Sequence, residues 1–346
     1  MPGWLVELRN GLRELSREAE DELSRDRRLA LREIRERVEH DMLVLEPAGR
    51  GRGQAWFLAA DGALDQRLAL HLPPARTLVR WDDRPFVSPL VDVADRGRPA
   101  GLVLLSAEAV RLLHWHDGMI TEPMRSLYEI ELGEWRDYDA YVGHPGPSPG
   151  GMHVAEFDQR QAEWRQRFLR ATAQSVARQV TELGWDRVLL AGEQPLIRVF
   201  GEQLPDPLGR RVIATVEANL LREQLAVTAD RLGAALEEAR LQQGQRLVEE
   251  ALDSAYAGGT AATGWPEVMD SLVRHRVSHL LIDPEANPDP DQLDPMTRDA
   301  LAWPSRPVLA EHAIKLALAS GAEITTLPAE TPQLVRVGGA AALLRY

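Results

Sequence analysis

Apolar positions recur every three or four residues along the first forty residues of the chain. They are Leu8, Leu12, Leu15, Ala19 and Leu23, followed by Leu31, Ile34 and Val38. This period predicts one long amphipathic helix over residues 5–39. Nine arginines and ten carboxylates fill residues 1–40 and nearly cancel in charge. We therefore expect a solvated helix with one buried stripe. A coiled-coil arm that recruits a partner is the alternative.

The pattern then changes to short apolar runs of strand length. Strands are predicted at "MLVLEP" and "QAWFLAA", joined by "AGRGRG", and again at "RLALHLP". The Gly-Arg segment fits a hairpin loop between the first two strands. Its tip carries Arg50 and Arg52, which either face solvent or contact RNA phosphate. The Pro-rich segment that follows marks the first predicted domain boundary, near residue 85.

Residues 86–223 read as a second domain, of the α/β class. Apolar runs at "GLVLLS", "VRLLHWHDGMI" and "SLYEIEL" predict strands, and a loop rich in Pro and Gly follows. A helix is expected over Asp158–Leu183, then a buried strand "RVLLAG" and helical segments at 195–202 and 208–222. Strands that give way to alternating helix and strand are typical of an α/β domain.

Residues 224–346 predict a second, compact α/β sandwich. A helical pattern covers 224–257 and ends at Gly258-Gly259, and Pro266 sits near the start of the next helix. A buried strand "VSHLLIDPE", a helix "LAEHAIKLALASG" and strands "EITTLP" and "AALLRY" follow. The predicted organisation is therefore a long N-terminal helix with a small α+β domain over 1–85, and α/β domains over 86–223 and 224–346.

Composition narrows the classes of function. The net charge of −13 argues against a general nucleic-acid binder, which is usually basic. Without cysteine the chain has no disulfide framework, thiolate metal site or cysteine nucleophile. We found neither a stretch of membrane-spanning length nor a secretion signal, so we expect a cytoplasmic protein that makes no membrane contact. Only Lys315 is a lysine, so phosphate contacts would be made by arginine guanidinium groups.

Two motifs suggest chemistry that their residues do not support. Gly146-Pro147-Ser148-Pro149-Gly150 matches the Gly-x-Ser-x-Gly pattern of a hydrolase nucleophile elbow. That elbow needs the backbone N–H of the residue after the serine, and Pro149 has none. His114 and His116 share one face of a strand, but no third ligand stands at a diagnostic spacing. We therefore expect a surface histidine pair, with no metal or cofactor.

The helix after the Pro-Gly loop is the most cationic segment. Residues 158–178 contain five arginines and only two carboxylates, Asp158 and Glu163, which gives a local charge of +3. The arginines are Arg160, Arg165, Arg167, Arg170 and Arg178. A buried stripe is predicted at Trp164, Phe168, Ala171 and Ser175. The helix is either a solvated basic surface or an RNA-contacting element, since phosphate contacts position a protein without reading sequence.

In order and spacing, residues 86–346 resemble the archaeal and eukaryotic class I peptide release factors and their Pelota-, Vms- and Balon-like relatives. The segments that carry the likeness are "GLVLLSAEAVRLLHW", "GHPGPSPGGMH", "FDQRQAEWRQRFLRATAQSVARQV" and "WDRVLLAGE". The resemblance implies an RNase H-like middle domain. The segments "GWPEVMDSLVRHRVSHLLID" and "GGAAALLRY" resemble the family's L7Ae-like third domain. Residues 1–85 match poorly.

Two departures bear on activity. The family hydrolyses peptidyl-tRNA with Gly-Gly-Gln, and the corresponding residues here are Gly150, Gly151 and Met152, followed by His153. A thioether lacks the hydrogen-bonding amide of glutamine. The stop-codon element Asn-Ile-Lys-Ser is also missing from the first domain.

The resemblance implies a ribosome-binding factor that occupies the A site in hibernation or stress without codon-specific termination. The ribosomal RNA, a peptidyl-tRNA and a translational GTPase are the expected partners, and Arg160, Arg165, Arg167 and Arg170 the expected RNA contacts. Whether the chain is an enzyme stays open. A ribosome rescue factor or peptidyl-tRNA hydrolase, with His153 in place of the glutamine, is the second hypothesis. A stress-related scaffold assembling through the N-terminal helix is the third.

Overall fold

The computed structural model describes residues 3–22, 24–44, 52–82, 84–106, 109–127, 150–286 and 308–346, and the single positions 288, 289, 291, 293 and 295. The chain forms two compact units, one of Met1–Gly97 with Leu241–Tyr346 and the other of Arg98–Arg240. The predicted mixed α/β, multidomain fold is confirmed. The finer division at residues 85/86 and 223/224 stays a prediction. None of the helices in the described ranges has an apolar stretch long enough to cross a bilayer.

The N-terminal segment contains two helices where the sequence predicted one. Helix α1 spans Gly3–Glu22 and α2 spans Arg25–Val44. Ser24 separates them and caps the second helix, since its Oγ accepts from the N–H of Arg27 at 3.4 Å. Leu12 and Val38 form the buried centre between the two helices. The 3.6-residue period was read correctly, but it did not reveal the break.

The small sheet of this unit pairs a different set of strands from the predicted one. Strand β1 spans Gly53–Leu58 and pairs antiparallel with β2, Asp65–Leu70. The predicted upstream strand "MLVLEP" is wrong at residues 42–44, which continue α2, and residues 45–51 lie outside the described ranges. The hairpin therefore turns at residues 59–64, and the "AGRGRG" segment does not join its strands.

Unit Arg98–Arg240 is built on one five-stranded sheet. Its strands are β3 Ala100–Leu105, β4 Ala109–His116, β5 Met119–Leu127, β6 Arg187–Gly192 and β7 Val212–Glu217. The spatial order is β5-β4-β3-β6-β7. Strand β4 runs antiparallel to both of its neighbours, β5 and β3, whereas β3, β6 and β7 are parallel. This is the order and direction of strands in an RNase H-like domain.

Helices cover both faces of that sheet. Helix α4 (Gly150–Glu182) precedes β6 in the sequence, and α5 (Gln194–Gly201) and the short α6 (Asp206–Gly209) follow it. One apolar cluster joins α4 and α5 to Val103 and Leu105 of β3, and a second joins Leu102 and Leu104 to the start of helix α7, Leu225–Tyr256. Because both faces are buried, β3 reads as a continuous apolar run.

Three predictions in this unit are wrong in detail. The run "VRLLHWHDGMI" contains two strands, because Asp117 and Gly118 both have positive φ, 51° and 76°, and make a tight hairpin turn. The predicted helix over 208–222 is wrong, because its centre forms strand β7, whose Val-Ile-Ala-Thr-Val run is rich in β-branched residues. Helix α4 begins at Gly150 rather than at Asp158.

The C-terminal part of the other unit is an α/β sandwich around a four-stranded sheet of order β10-β9-β11-β8. The strands are β8 Ala261–Thr263, β9 Val277–Ile282, β10 Glu323–Thr326 and β11 Ala340–Leu344. Its helices are the end of α7, α8 Trp265–Val273, α9 Leu309–Ala319 and α10 Pro332–Val335.

A helix that the sequence analysis did not identify packs on this C-terminal sheet. Helix α3, Ser88–Arg96, starts with a proline at its first turn and contributes Val91 to the apolar cluster formed by α8, α9 and β9. Its Asp95 accepts a hydrogen bond from the backbone N–H of Thr326 at 3.2 Å. The residues that hold α3 lie more than 200 positions away in the sequence, which is why no local pattern indicated its place.

Candidate nucleic-acid interface

Helix α4 has a buried face and a charged face. Leu169, Ala173, Val176 and Val180 are buried against the sheet, with a 4/3/4 spacing that keeps them on one side of the helix. The predicted stripe was displaced by about one position. Ala171 is exposed, Ser175 and Phe168 are half-buried, and the side chain of Trp164 lies outside the described set. One residue along a helix is a rotation of about 100°, so the error moves the predicted face by more than a quarter turn.

The described arginines of α4 lie away from this buried stripe. Arg167 and Arg178 are exposed and eleven residues apart, which places them on the same side of the helix. Arg170 is also exposed, and its Nε–H donates to Oε1 of Gln203 at 3.1 Å. The backbones of Arg160 and Arg165 lie in the helix, but their side chains fall outside the described set. The described half of α4 therefore presents guanidinium groups to solvent.

The glycine pair of the predicted loop begins the helix. The backbones of Gly150, Gly151, Met152 and His153 form the first turn of α4, while residues 141–149 lie outside the described ranges. The expectation that all four residues belong to a loop is therefore corrected. With a rise of about 1.5 Å per residue, Arg167 stands about 26 Å along the axis from Gly150. One rigid element thus carries both the Gly-Gly-Met turn and the arginines.

The two arginines of the N-terminal Gly-Arg segment are not brought into this region by any described contact. Arg50 lies outside the described residues. Arg52 is exposed, and its backbone N–H donates to the carbonyl of Leu70 at 2.8 Å, which extends the ladder of the β1–β2 hairpin. Arg52 belongs to the other compact unit, so its proposed phosphate contact stays a prediction.

Of the two histidines of β4, His116 is exposed and His114 has a structural contact. The indole N–H of Trp185 donates to Nδ1 of His114 at 2.6 Å, and the two rings stack with centroids 6.1 Å apart. Burial, and to a lesser degree the charge of His116, lower the pKa of His114 below its ordinary value of 6.5. The imidazole is therefore held neutral as a hydrogen-bond acceptor. Within the described residues no group of three metal-ligating side chains occurs.

A groove of about 540 Å³ opens beside β6 and β7 in the same unit. Its lining is mainly apolar and includes Leu190, Ile197, Leu204 and Val212. The polar members are Gln194, Arg198 and Thr215. The lining residues, all of them in the described ranges, include no carboxylate, histidine or serine. The groove therefore offers no acid–base pair for hydrolysis.

A buried arginine that the sequence analysis overlooked fixes the end of this unit. Arg111 of β4 is 3% exposed, and it donates from Nε and Nη2 to both oxygens of Glu122, at 3.1 and 2.9 Å. Its Nη1 donates to three backbone carbonyl oxygens, those of Leu220, Leu221 and Glu223. This fork attaches the connection between β7 and α7 to the sheet. The sequence signal that could have revealed it is a single arginine within the otherwise apolar run of β4.

The comparison with protein families decides the assignment of the central segment. Residues 85–235 match the sequence model of "Bacterial archaeo-eukaryotic release factor family 10". This central segment is similar to that family. It contains the whole five-stranded sheet, the Gly-Gly-Met turn and the arginines of α4. The similarity to the archaeo-eukaryotic release factor superfamily, predicted from the resemblance, is confirmed for residues 85–235.

Several solved structures are similar to the chain at low identity. A model of ribosome-bound archaeal Pelota and ABCE1 matches with 14% identity and a TM-score of 0.39, covering 71% of this chain and 61% of that one. Dom34 of S. cerevisiae matches with 10% identity and a TM-score of 0.42, covering 85% and 80%. Pelota of Archaeoglobus fulgidus matches with 14% identity and a TM-score of 0.32, covering 83% and 77%. Among curated proteins, none matches the chain significantly.

Proposed function

We propose that this release factor homologue binds the ribosome and occupies the A site in hibernation or stress, without codon-specific termination. The observation that carries the proposal is the construction of α4 within a release factor domain. The helix buries one apolar stripe and exposes Arg167, Arg170 and Arg178, in a chain whose net charge is −13. Local excess of arginine on a rigid helix suits the phosphates of ribosomal RNA.

In this proposal the family's docking scaffold is retained while its hydrolytic group is replaced. Met152 stands where the family carries the glutamine that positions water, and a thioether cannot replace that amide. A binding role needs the helix and its arginines but no acid–base pair. The cytoplasm is the compartment that this role requires. Dom34 is described as interacting with Hbs1, and for the present chain a translational GTPase partner is proposed by analogy.

Ribosome pelleting from stationary-phase or chilled cells tests the proposal. The full chain is expected to sediment with ribosomes at low salt, and an Arg167→Glu/Arg170→Glu variant to remain mostly in the supernatant. Arg198→Glu/Arg210→Glu is the matched control, because it changes charge equally at exposed positions of the same unit outside α4. Loss of binding should be clearest at low salt, where phosphate contacts are strongest. A wild-type chain found wholly in the ribosome-free supernatant would end the proposal.

The second candidate is a rescue factor or peptidyl-tRNA hydrolase that acts through the divergent turn. The observation in its favour is that His153 follows Met152 within the same first turn of α4, so a titratable residue adjoins the family's catalytic position. The two candidates differ in one readout. Stalled ribosome–nascent chain complexes release their peptide if the chain is an enzyme and keep it if the chain only binds.

A further inference from the structure

The two ends of the C-terminal sheet carry opposite charge. Strands β9 and β11 are antiparallel, with Leu344 beside Val277 and Ala340 beside Ile282. Residues just before β9 and just after β11 therefore share one end of the sheet. That end, called the basic end below, carries Arg274, His275, Arg276, Arg345 and Tyr346.

The opposite end is acidic. Asp283 follows β9 there, and burial together with the charges of Glu285 and Glu330 raises the pKa of the Asp283 carboxyl. Arg336 and Tyr256 line a small cavity of the same domain together with Glu249 and Asp253. A polyanion approaching the domain would be repelled from the acidic end and attracted to the basic end.

Backbone geometry presents the side chains of the basic end. The N–H of Arg276 bonds to the carbonyl of Ser271 at 2.9 Å and that of His275 to Leu272 at 3.0 Å, which closes α8 in a Schellman-type turn. His275 takes the left-handed conformation, φ 56°, at the position that usually holds glycine. A non-glycine residue in this conformation costs stability. In return, the turn carries three consecutive cationic or titratable side chains, those of Arg274, His275 and Arg276.

Tyr346 and its arginines form a paired surface. The Arg276 guanidinium lies over the Tyr346 ring, 5.7 Å from its centroid, and its Nη2 donates to the Tyr346 carbonyl at 2.8 Å. The ring is nonetheless 69% exposed. Arg345 bonds through its backbone N–H to the carbonyl of Arg276 at 2.8 Å and through Nη2 to that of Ser320. Arg276 and Arg345 are thus positioned by backbone acceptors, which leave the remaining Nη donors of each guanidinium for a ligand.

Two carboxylates belong to the same region and limit its charge. Asp270 accepts from Nε of Arg274 at 2.9 Å, and Glu323 lies 3.6 Å from Nδ1 of His279. Three arginines against these two carboxylates leave the basic end with a small positive charge. Charge alone would therefore bind a polyanion weakly. The exposed aromatic ring beside the guanidinium groups supplies the second component, because bases stack on such rings while phosphates bind the cations.

We propose that the basic end is an RNA-contact surface, in which the arginines hold phosphates and the Tyr346 ring stacks on an unpaired base. The surface is separate from α4 and belongs to the other compact unit, so the inference does not rest on the proposed ribosomal role. An acidic protein is the competing occupant. It would use the arginines but not the flat face of the ring.

Fluorescence anisotropy with a labelled 12-nucleotide single-stranded RNA tests the surface. The full chain carries Arg167→Gln/Arg170→Gln in every sample, so that binding by α4 does not mask the result. Tyr346→Leu is expected to weaken binding about fivefold or more, which is the loss of one stacked base. Arg345→Gln is expected to reduce the slope of log affinity against log salt by about 0.7, the loss of one phosphate contact on a single strand.

Two exposed residues elsewhere in the same domain supply matched controls. Tyr256→Leu removes another exposed tyrosine, and Arg336→Gln another exposed arginine, from the same domain. Both should leave RNA binding unchanged. Equal affinities of Tyr346→Leu and Tyr256→Leu would overturn the stacking contact. Competition by polyglutamate as effective as competition by RNA would overturn the assignment to RNA. Ribosome pelleting of the α4 variants is read separately, so either idea can fail alone.

Discussion

The carboxylate of Glu311 caps the helix that begins at Ser88, although 223 positions separate the two residues. Glu311 is 3% exposed, and it accepts hydrogen bonds from the backbone N–H groups of Val87 and Ser88, both at 2.8 Å, and from the Ser88 hydroxyl at 2.5 Å. Lys315, the only lysine of the chain, lies 3.0 Å from the same carboxylate. One side chain of α9 thus satisfies the first N–H groups of α3, whose own sequence provides no cap.

Glu311→Ala should destabilise the attachment of α3 by about 2–4 kcal/mol. The change leaves two backbone N–H groups and the hydroxyl without acceptors, and it leaves Lys315 without its carboxylate. Ser88→Ala removes one bond of the three and should cost about 1 kcal/mol. Hydrogen–deuterium exchange of residues 87–96 measures the local opening. Glu250→Ala, on an exposed face of α7, is the control and should leave those amides unchanged.

Arg111→Lys should loosen the connection between β7 and α7. Lysine keeps the charge but cannot reproduce five directed contacts to Glu122 and three carbonyl oxygens, so about 2 kcal/mol or more of local stability should be lost. Faster amide exchange over residues 220–232 is the expected sign. The same exchange of arginine for lysine at exposed Arg178 should change nothing measurable. If both variants behave alike, Arg111 does not hold the connection.

Apolar periodicity predicted the elements whose buried faces are local. The β3 and β6 strands and the α7 helix were found because unbroken or 3.6-period runs identify them without reference to partners. Helix α3 and its cap were missed because Glu311 and Thr326 hold it from far along the chain. The turn at Asp117-Gly118 was different. Its Asp-Gly signal stood in the sequence and was passed over within a longer apolar run.

The candidate interface was predictable only where it depends on local sequence features. Arginine content and the glycine pair are sequence features, so the resemblance to release factors could be read directly. Which side of α4 is buried depends on how the sheet meets the helix, and the predicted stripe was off by about one residue. The fork of Arg111 and the ring contact of His114 with Trp185 join strands and loops that no spacing rule connects.

Gly101→Ala should destabilise unit Arg98–Arg240 by about 3 kcal/mol. A Cβ atom at Gly101 would stand 2.2 Å from Cε3 of Trp185, a fully buried ring that cannot move without opening the core. Overpacking of this kind usually costs about 1–3 kcal/mol, and a rigid aromatic neighbour places the site at the upper end. Thermal unfolding measures the loss. Gly201→Ala, where no atom lies within 4 Å, is the control, and Trp185→Leu should partly rescue the Gly101 variant.

Stability should fall as the pH drops below the ordinary pKa of histidine because of His114. Burial lowers the pKa of this group in the folded chain, so the unfolded chain binds the proton first. The stability contributed by neutral His114 is present above pH 6.5 and is lost as the pH falls below that value. An NMR titration should give His114 a midpoint below 6.5, and His114→Gln should reduce the acid-induced loss of stability. A midpoint at or above 6.5 would contradict the buried, neutral assignment.

The purified chain should release no peptide from stalled ribosome–nascent chain complexes, because Met152 cannot position water as the family's glutamine does. Met152→Gln restores the family motif on an otherwise unchanged first turn of α4, and it should produce measurable release if the docking scaffold is intact. His153→Ala should have no effect on the wild-type baseline. Release by the wild-type chain that disappears in His153→Ala would instead establish the enzymatic alternative and identify His153 as its essential residue. Release that persists in His153→Ala would exclude both the hypothesis that His153 replaces the family's glutamine and the purely binding role.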